Sequence, residues 1–208
     1  MLLLAFDTAT PAVTVAVHDG SAVLSEASGS GAMAHGELLA PAIREALASA
    51  GATMSDLTDV AVGVGPGPFT GLRVGVVTAL TLSQTLGLTA HGVCTLDVVA
   101  AAAGGGELVV ATDARRKEVY WARYVDGVRV DGPDVSAPAD LAARFPGVPV
   151  HGPGAALYPD LLPPASSQAP RAADLAALVA TGAAVELPVE PLYLRRPDAV
   201  PSVAPKQA

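Results

Sequence analysis

The residues from Gly63 to Gly75, GVGPGPFTGLRVG, could either hold a phosphate group or form a stiff corner. A P-loop needs the pattern GxxxxGK[ST], and no lysine follows these glycines at the required place. A dinucleotide-binding loop needs a further glycine at position 70, where this chain has Thr70. The two prolines also lack the backbone N–H groups that bind phosphate. We therefore predict a rigid corner made of Gly65, Pro66, Gly67, Pro68, Thr70 and Gly71.

The histidines and the single cysteine form no pattern that is typical of a metal or redox site. Cys94 lacks the CxxC partners of such sites, so we expect a small, buried apolar side chain. The histidines have no second histidine or carboxylate at ligand spacing, which predicts surface or capping roles for His18, His35, His91 and His151. We expect no metal site.

Composition limits the classes of partner. The chain has 208 residues, 51% of them hydrophobic, and a net charge of −8, which predicts a soluble globular protein with a sizeable core. Its basic residues occur only in small groups, such as Arg115 to Lys117 and Arg195 to Arg196. An acidic surface repels a phosphate backbone, so we expect tRNA or other RNA to be held only indirectly, by another chain. The apolar runs are too short for a membrane span, and the N-terminus lacks the basic region of a secretory signal, which favours a cytoplasmic protein.

The elements that position these residues follow from hydrophobic periodicity and turn residues. The first half is predicted to have the order βββαβαβα. Its strands cover residues 2–6, 13–17, 22–27, 60–64 and 89–93, and its helices cover 37–50, 71–86 and 96–103.

The second half repeats the opening of the first. After Gly104 to Gly106, the sequence LVVATDARRKEVYWA at 108–122 aligns without gaps on LLLAFDTATPAVTVA at 2–16, with Leu2/Leu108, Ala5/Ala111, Asp7/Asp113, Val13/Val119 and Ala16/Ala122 identical. A reduced copy follows, with a strand at 127–130, a helix at 139–145, a strand at 148–151 and a helix at 171–180. We predict an α/β protein with two duplicated βββαβα-type domains at 1–104 and 105–190, the second one reduced, and then a crossing segment and mobile proline-rich tail at 191–208.

Two such halves resemble the actin, sugar-kinase and Hsp70 superfamily, in which the cleft between the halves binds the phosphates of ATP. The resemblance makes Asp7, Thr8 and Thr10 a candidate phosphate-binding hairpin. Ala9 stands where the superfamily has a glycine that lets the backbone approach a phosphate. Two roles for Asp7 remain open: orienting a nucleotide shared with a partner, or binding N–H groups of its own turn.

The helix predicted at 71–86 is apolar on nearly every face, so both of its sides need to be covered. One side can pack on its own sheet. The other side needs either a second layer within the chain or another subunit, and both explanations stay open at this point.

Five segments together resemble the TsaB (YeaZ) family: AFDTAT, AHGELLAPAI, VAVGVGPGPFTGLRVGVVTALTLSQTLGL, DARRKEVYWARY and PLYLRR. The resemblance implies a noncatalytic subunit of the machinery that makes threonylcarbamoyladenosine in tRNA. It also implies a heterodimer with a TsaD-like catalytic paralogue and cooperation with a TsaE-like ATPase. In that paralogue an HxxxH pair binds the metal, and this chain has Thr95 and Val99 at the equivalent place.

The resemblance places the partner interface on the first two helices, at Leu38, Leu39, Ile43, Arg73, Val74, Val77 and Leu80. The same surface is expected to form a homodimer when the chain is alone. We expect no cofactor of its own, and whether ATP or ADP binds at the interface with the partner stays open. The alternative class is an enzyme of the same fold, an ATP-dependent small-molecule kinase or a peptidase, although no nucleophile with a base or metal is visible.

Overall fold

The computed structural model describes residues 1–29 and 35–195, which form two mixed β-sheets. The first sheet has the strand order β11-β5-β4-β1-β2-β3. Its strands are β1 (Leu3–Asp7), β2 (Val13–His18), β3 (Val23–Gly29), β4 (Asp59–Gly65), β5 (Thr89–Cys94) and β11 (Glu186–Leu187).

The second sheet has five strands in the order β10-β9-β6-β7-β8, which repeats the order β5-β4-β1-β2-β3 of the first sheet without β11. Its strands are β6 (Glu107–Asp113), β7 (Val119–Val125), β8 (Val128–Ser136), β9 (Val150–His151) and β10 (Pro164–Ser166). The predicted α/β class with a duplicated plan is therefore confirmed. The prediction missed β10, β11 and a short helix at Pro153–Ala156, because these elements are too short to show periodicity.

The reduction of the second half lies in its helices. The helices are α1 (His35–Ser49), α2 (Phe69–Leu86), α3 (Thr95–Ala103), α4 (Pro138–Arg144), α5 (Pro153–Ala156) and α6 (Ala172–Ala180). After β4 the first sheet continues into α2, which has 18 residues, whereas after β9 the second sheet continues into α5, which has four. A short 3-10 helix at Met54–Asp56 precedes β4.

Helices cover both faces of the first sheet. On one face α1 and α2 pack against apolar side chains that include Leu4, Phe6 and Val13. On the other face α6 packs against Leu3 and Ala5. Because both faces are covered, β1 is buried along its whole length and is apolar up to Asp7, as is typical of a central strand in an α/β sheet.

Each half also sends a helix to the other half. Helix α3 follows β5 of the first sheet and packs on β6 and β7 of the second, while α6, late in the chain, packs on β1 and β2. The division into domains at residue 104 stays a prediction, and these two helices join the elements on either side of it.

The ungapped alignment of the two halves is wrong by one residue in the first strand. Helices α1 and α2 pack on Leu4, whereas α4 and α5 pack on Val109, so Leu4 corresponds to Val109 and not to the aligned Val110. The cross-strand pairing agrees, since Asp7 lies opposite Thr14 but Asp113 lies opposite Val119. Both strands are apolar on both faces, so their hydrophobic pattern could not fix the register, although a slip of one residue reverses every side chain.

Helix α2 begins two residues earlier than predicted, with Pro68 as its N-cap, and ends at Gly87. Gly87 has φ of 71°, and its N–H group bonds the carbonyl oxygen of Ser83, which is a common way to end a helix at glycine. No helix in the described ranges has the length and hydropathy that a membrane span requires.

The segment after β11 returns along the first sheet, where the N–H group of Leu192 donates to the carbonyl oxygen of Val64 over 2.8 Å. The predicted crossing segment from residue 191 is described as far as Arg195. The predicted mobile tail lies outside the described residues from position 196 onward.

Candidate functional site

The hairpin between β1 and β2 is held together by the buried carboxylate of Asp7, which is 1% exposed. One oxygen accepts the N–H group of Ala9 over 2.7 Å, and the other accepts the hydroxyl of Thr95 over 2.7 Å. Thr95 in turn accepts the N–H group of Gly65 over 3.2 Å. Burial raises the pKa of Asp7, against the lowering effect of these hydrogen bonds and of the nearby His35.

The glycine corner packs directly against this hairpin. A Cβ atom on Gly63 would overlap the Asp7 carboxylate, one on Gly67 would overlap the carbonyl of Ala9, and one on Gly71 would overlap the carbonyl of Thr8. The Thr8 hydroxyl donates to the carbonyl oxygen of Gly71 over 2.8 Å. Gly67 and Gly71 therefore allow backbone to pack on backbone, and Gly63 allows the backbone to pack on the side chain of Asp7.

The remaining residues of the hairpin also have partners within the chain. The Thr10 hydroxyl donates to the carbonyl oxygen of Ala12 over 3.3 Å, and the carbonyl of Thr10 lies 2.8 Å from Nε2 of His35. Thr8 and Thr10 are 0% and 4% exposed. Asp7, Thr8 and Thr10 thus lie together, as the sequence predicted, and each is engaged in internal hydrogen bonds.

The second half contains its own version of the corner. Gly152, Pro153 and Gly154 come at the end of β9 as Gly65, Pro66 and Gly67 come at the end of β4, and the leading glycines have φ of 97° and 107°. The repeated GPG is visible in the sequence and is a signal by which this second corner could have been predicted. Gly154 packs against the backbone of Ala111 and Thr112, in the strand, whereas Gly67 packs against the hairpin loop at Ala9.

A cleft of about 260 Å³ lies between the β1–β2 hairpin, the corresponding β6–β7 hairpin and the two GPG corners. It is lined by Ala9, Thr10, Pro11, Pro68, Thr112, Asp113, Arg115, Pro153 and Leu157. Its cation, Arg115, pairs with Asp113, with 3.3 Å between the guanidinium and the carboxylate. Three prolines in the lining offer no N–H donors, so this cleft is poorly equipped to bind a chain of phosphates.

Residues 1–29 and 35–195 have few features of a metal or redox site. No three His, Cys, Asp or Glu side chains come together there in a way that could hold a metal ion. Thr95 is bonded to Asp7, and Val99 is 3% exposed. Cys94 is fully buried, as predicted, and burial together with the charge of Asp97 raises the pKa of its thiol to about 12.

His91 is an exception to the prediction that the histidines serve only as surface or capping groups. Its ring lies between two carboxylates, 3.1 Å from Asp59 and 2.7 Å from Glu186. Burial alone would lower the pKa of His91, but the hydrogen bonds and charges of both carboxylates outweigh it and raise the pKa. The ring joins β4, β5 and β11, so its role is to hold the edge of the sheet.

The structure separates the predicted interface residues into two groups. Leu39 and Ile43 are 2% and 3% exposed and belong to the core between α1 and the first sheet. Val77 and Leu80 are exposed on α2, and Leu38 and Val74 are half-buried.

Arg73, the remaining predicted interface residue, is exposed and contacts the C-terminal segment. Its Nε donates to the hydroxyl of Tyr193 over 2.9 Å, and its guanidinium lies 3.7 Å above the ring of Phe69. No sequence signal pointed to this contact, because Tyr193 is far away along the chain.

Two sheets with a shared strand order, one of six strands and one of five, together with helices exchanged between the halves define a class of actin-like α/β proteins. A model of the family described as "TsaD: tRNA N6-adenosine threonylcarbamoyltransferase" matches residues 26–156. The solved structure of YeaZ from Pseudomonas aeruginosa is similar, with a TM-score of 0.74 and 31% identity, covering 93% of this chain and 99% of that one.

Two relatives extend the similarity. An uncharacterized protein of Mycobacterium tuberculosis (strain H37Rv) is 49% identical over 206 residues, which cover 96% of this chain and 94% of the relative. The tRNA threonylcarbamoyladenosine biosynthesis protein TsaB of Escherichia coli (strain K12) is 36% identical over 128 residues, 60% of this chain and 55% of that protein. The chain belongs to the TsaB (YeaZ) family, within the wider threonylcarbamoyltransferase family that the model describes.

Proposed function

We propose that this chain is a noncatalytic subunit in the biosynthesis of threonylcarbamoyladenosine in tRNA. The observation that carries the proposal is membership of the TsaB (YeaZ) family, together with similarity to YeaZ along almost the whole chain. In this proposal a TsaD-like subunit performs the chemistry and a TsaE-like ATPase assists it. Such work on tRNA places the chain in the cytoplasm.

The contacts of Asp7 support a noncatalytic role. Its carboxylate is buried, its two oxygens are engaged by Ala9 and Thr95, and Gly63 packs directly against it. A general base must reach the proton that it removes. Asp7 would have to break its contacts and leave the core in order to do so.

We place the partner surface on the exposed side of α2, at Arg73, Val77 and Leu80, with Val74 and Leu38 at its border. Val77 is 59% exposed, although it lies in the middle of a helix whose opposite face is core. Burial of such side chains against a second chain is favourable. The same surface would form a homodimer when the partner is absent.

A reconstitution tests the proposal. Unmodified tRNA, threonylcarbamoyl-adenylate and TsaD-like and TsaE-like subunits are combined with and without this chain, and threonylcarbamoyladenosine is measured by mass spectrometry. We expect the modified nucleoside to form only when the chain is present. Equal yields without it would contradict the proposal, as would ATP turnover or proteolysis by the chain alone that is lost in Asp7→Ala.

Substitution of Val77 by arginine tests the partner surface. The change places a charge in the middle of the proposed contact but leaves the core untouched, so the fold should survive. We expect copurification with the TsaD-like subunit to be abolished. Val128→Arg is the matched control, because Val128 is 64% exposed on β8 of the second sheet. If Val77→Arg and Val128→Arg copurify equally well, the surface lies elsewhere.

A further inference from the structure

The basic groups that are far apart in the sequence meet at one place in the structure. A second cavity, of about 210 Å³, lies beside the cleft between the hairpins and shares Pro68 and Arg115 with it. We call it the basic cleft. It is lined by Gly67, Pro68, Phe69, Ala114, Arg115, Arg116, Tyr120, Tyr193, Leu194 and Arg195.

The charge at the basic cleft differs from that of the whole chain. The net charge is −8, with 12 lysines and arginines in total. Three arginines line the cleft, Lys117 follows in the same loop, and Arg73 contacts two of the lining rings. Asp113 pairs with Arg115, and Glu118 pairs with Arg195. Five of the chain's 12 lysines and arginines therefore lie at or beside this one cleft in an acidic protein.

The walls of the basic cleft are fixed by contacts between distant segments. Arg195 donates to the carbonyl oxygen of Ala114 over 2.8 Å. On the other wall, the rings of Phe69 and Tyr193 stack with their centroids 5.2 Å apart. The C-terminal segment thus connects the corner before α2 to the loop between β6 and β7. A site held on both sides in this way is preorganised for a ligand.

The loop that carries the cations has an unusual backbone. Arg115, Arg116 and Lys117 have φ of 61°, 54° and 60°, although none of them is glycine. Such residues in the left-handed region cost free energy and persist where the surrounding structure holds them. Here the Asp113 carboxylate accepts the N–H group of Arg115 over 2.7 Å. The Arg115 side chain stays 68% exposed.

We propose that the basic cleft binds a phosphate group of an RNA backbone, so that this chain contributes a local contact to tRNA. The cavity is smaller than the roughly 300 to 1,000 Å³ of pockets that enclose a drug-sized ligand, so it fits a phosphate that belongs to a larger molecule better than a whole nucleotide. Arginine forks suit phosphate oxygens in geometry and charge. The choice of RNA as the source of the phosphate rests on the proposed function.

Binding of a fluorescent, unmodified tRNA to the full chain tests this proposal. The wild type is compared with Arg115→Asn/Lys117→Asn, because asparagine tolerates the left-handed backbone and removes the charge. At about 50 mM salt, we expect the double variant to bind at least about fivefold more weakly and with a shallower salt dependence, since each lost phosphate contact reduces the salt slope by about 1. Circular dichroism and urea unfolding check that the variant is folded.

Arg44→Gln is the matched control, because it removes a charge from the exposed side of α1, which does not line the cleft. It should bind tRNA as the wild type does. Undetectable binding by the wild type, or equal weakening in Arg44→Gln, overturns the proposal. ATP and pyrophosphate are titrated in parallel. If either one binds strongly while the double substitution leaves tRNA binding unchanged, the proposal is also overturned. The reconstitution above does not depend on this result, so failure of either proposal is recognisable separately.

Discussion

The two hairpins begin alike and end in different surroundings. Asp7 and Asp113 each accept the N–H group of the residue two positions later, Ala9 and Arg115, over the same 2.7 Å. Asp7 is then buried against Thr95 and Gly63, whereas Asp113 is half-buried and pairs with the side chain of Arg115. The local turn chemistry is shared, and the function of the side chain is set by what packs on it.

The difference arises from the one-residue change of register between β1 and β6. It places Thr112 on the face of the second sheet that Asp7 occupies in the first, and it turns Asp113 to the opposite face. The Thr112 hydroxyl is buried and has no hydrogen-bond partner in the described structure. Duplication has therefore preserved the sheets but not the chemistry at the ends of their first strands.

Of the substitutions that test this difference between the hairpins, Gly63→Ala should have the largest effect on the free energy of unfolding. The new methyl group would overlap the Asp7 carboxylate, so we expect a loss of at least about 3 kcal/mol of unfolding free energy in urea. Gly63→Ala/Asp7→Ala should recover part of the loss.

The control for that change is Gly36→Ala in α1, where the one contact of the new methyl group with the described residues is Cγ2 of Val74 at 4.0 Å. Alanine is the better helix former, so we expect a gain of up to about 1 kcal/mol. A loss of stability for both alanine variants would contradict the packing argument.

The two aspartates should respond unequally to alanine. Asp7→Ala leaves the Ala9 N–H group and the Thr95 hydroxyl without an acceptor in the core, and relief of the buried charge offsets only part of this, so we expect a loss of about 2 kcal/mol. Asp113→Ala should cost less than about 1 kcal/mol, because its turn can be hydrated. Urea unfolding measures both. Equal losses would show that burial does not distinguish the hairpins.

The raised pKa of Asp7 gives the same comparison a pH dependence. The folded state binds the Asp7 proton more tightly than the unfolded chain does. Proton binding at Asp7 therefore stabilises the fold, and this stabilisation is complete below the pKa of Asp7 in the unfolded chain, which is about 4. It is lost as the pH rises through the folded pKa. The wild type should therefore gain stability relative to Asp7→Asn on acidification toward that unfolded value.

The two threonines beside these aspartates should also respond unequally to substitution. Thr95→Val removes the donor to Asp7 and the acceptor of the Gly65 N–H group, so we expect a loss of about 1 to 2 kcal/mol. Thr112→Val replaces an unpartnered hydroxyl by a methyl group of similar shape and should be neutral or slightly stabilising. Melting temperatures of the two variants give the order. The reverse order would mean that Thr112, not Thr95, holds its hairpin.

The sequence predicted the candidate site in part. The hairpin and the glycine corner were found because turn residues and glycines mark such features locally. The bond between Thr95 and Asp7 was not found, since it joins residues 88 positions apart. The same holds for Arg195 and the carbonyl of Ala114, which are 81 positions apart.

The order of the longer strands and helices, the turn at each aspartate and the corner before α2 were determined by the sequence itself, because each depends on neighbours within a few residues. The register of β6 relative to β1, the enclosure of Asp7 and the meeting of Arg115 with Arg195 were decided only by the tertiary structure. Strands that are apolar on both faces carry no alternating pattern to fix their register. Contacts between distant segments depend on how all the layers pack together.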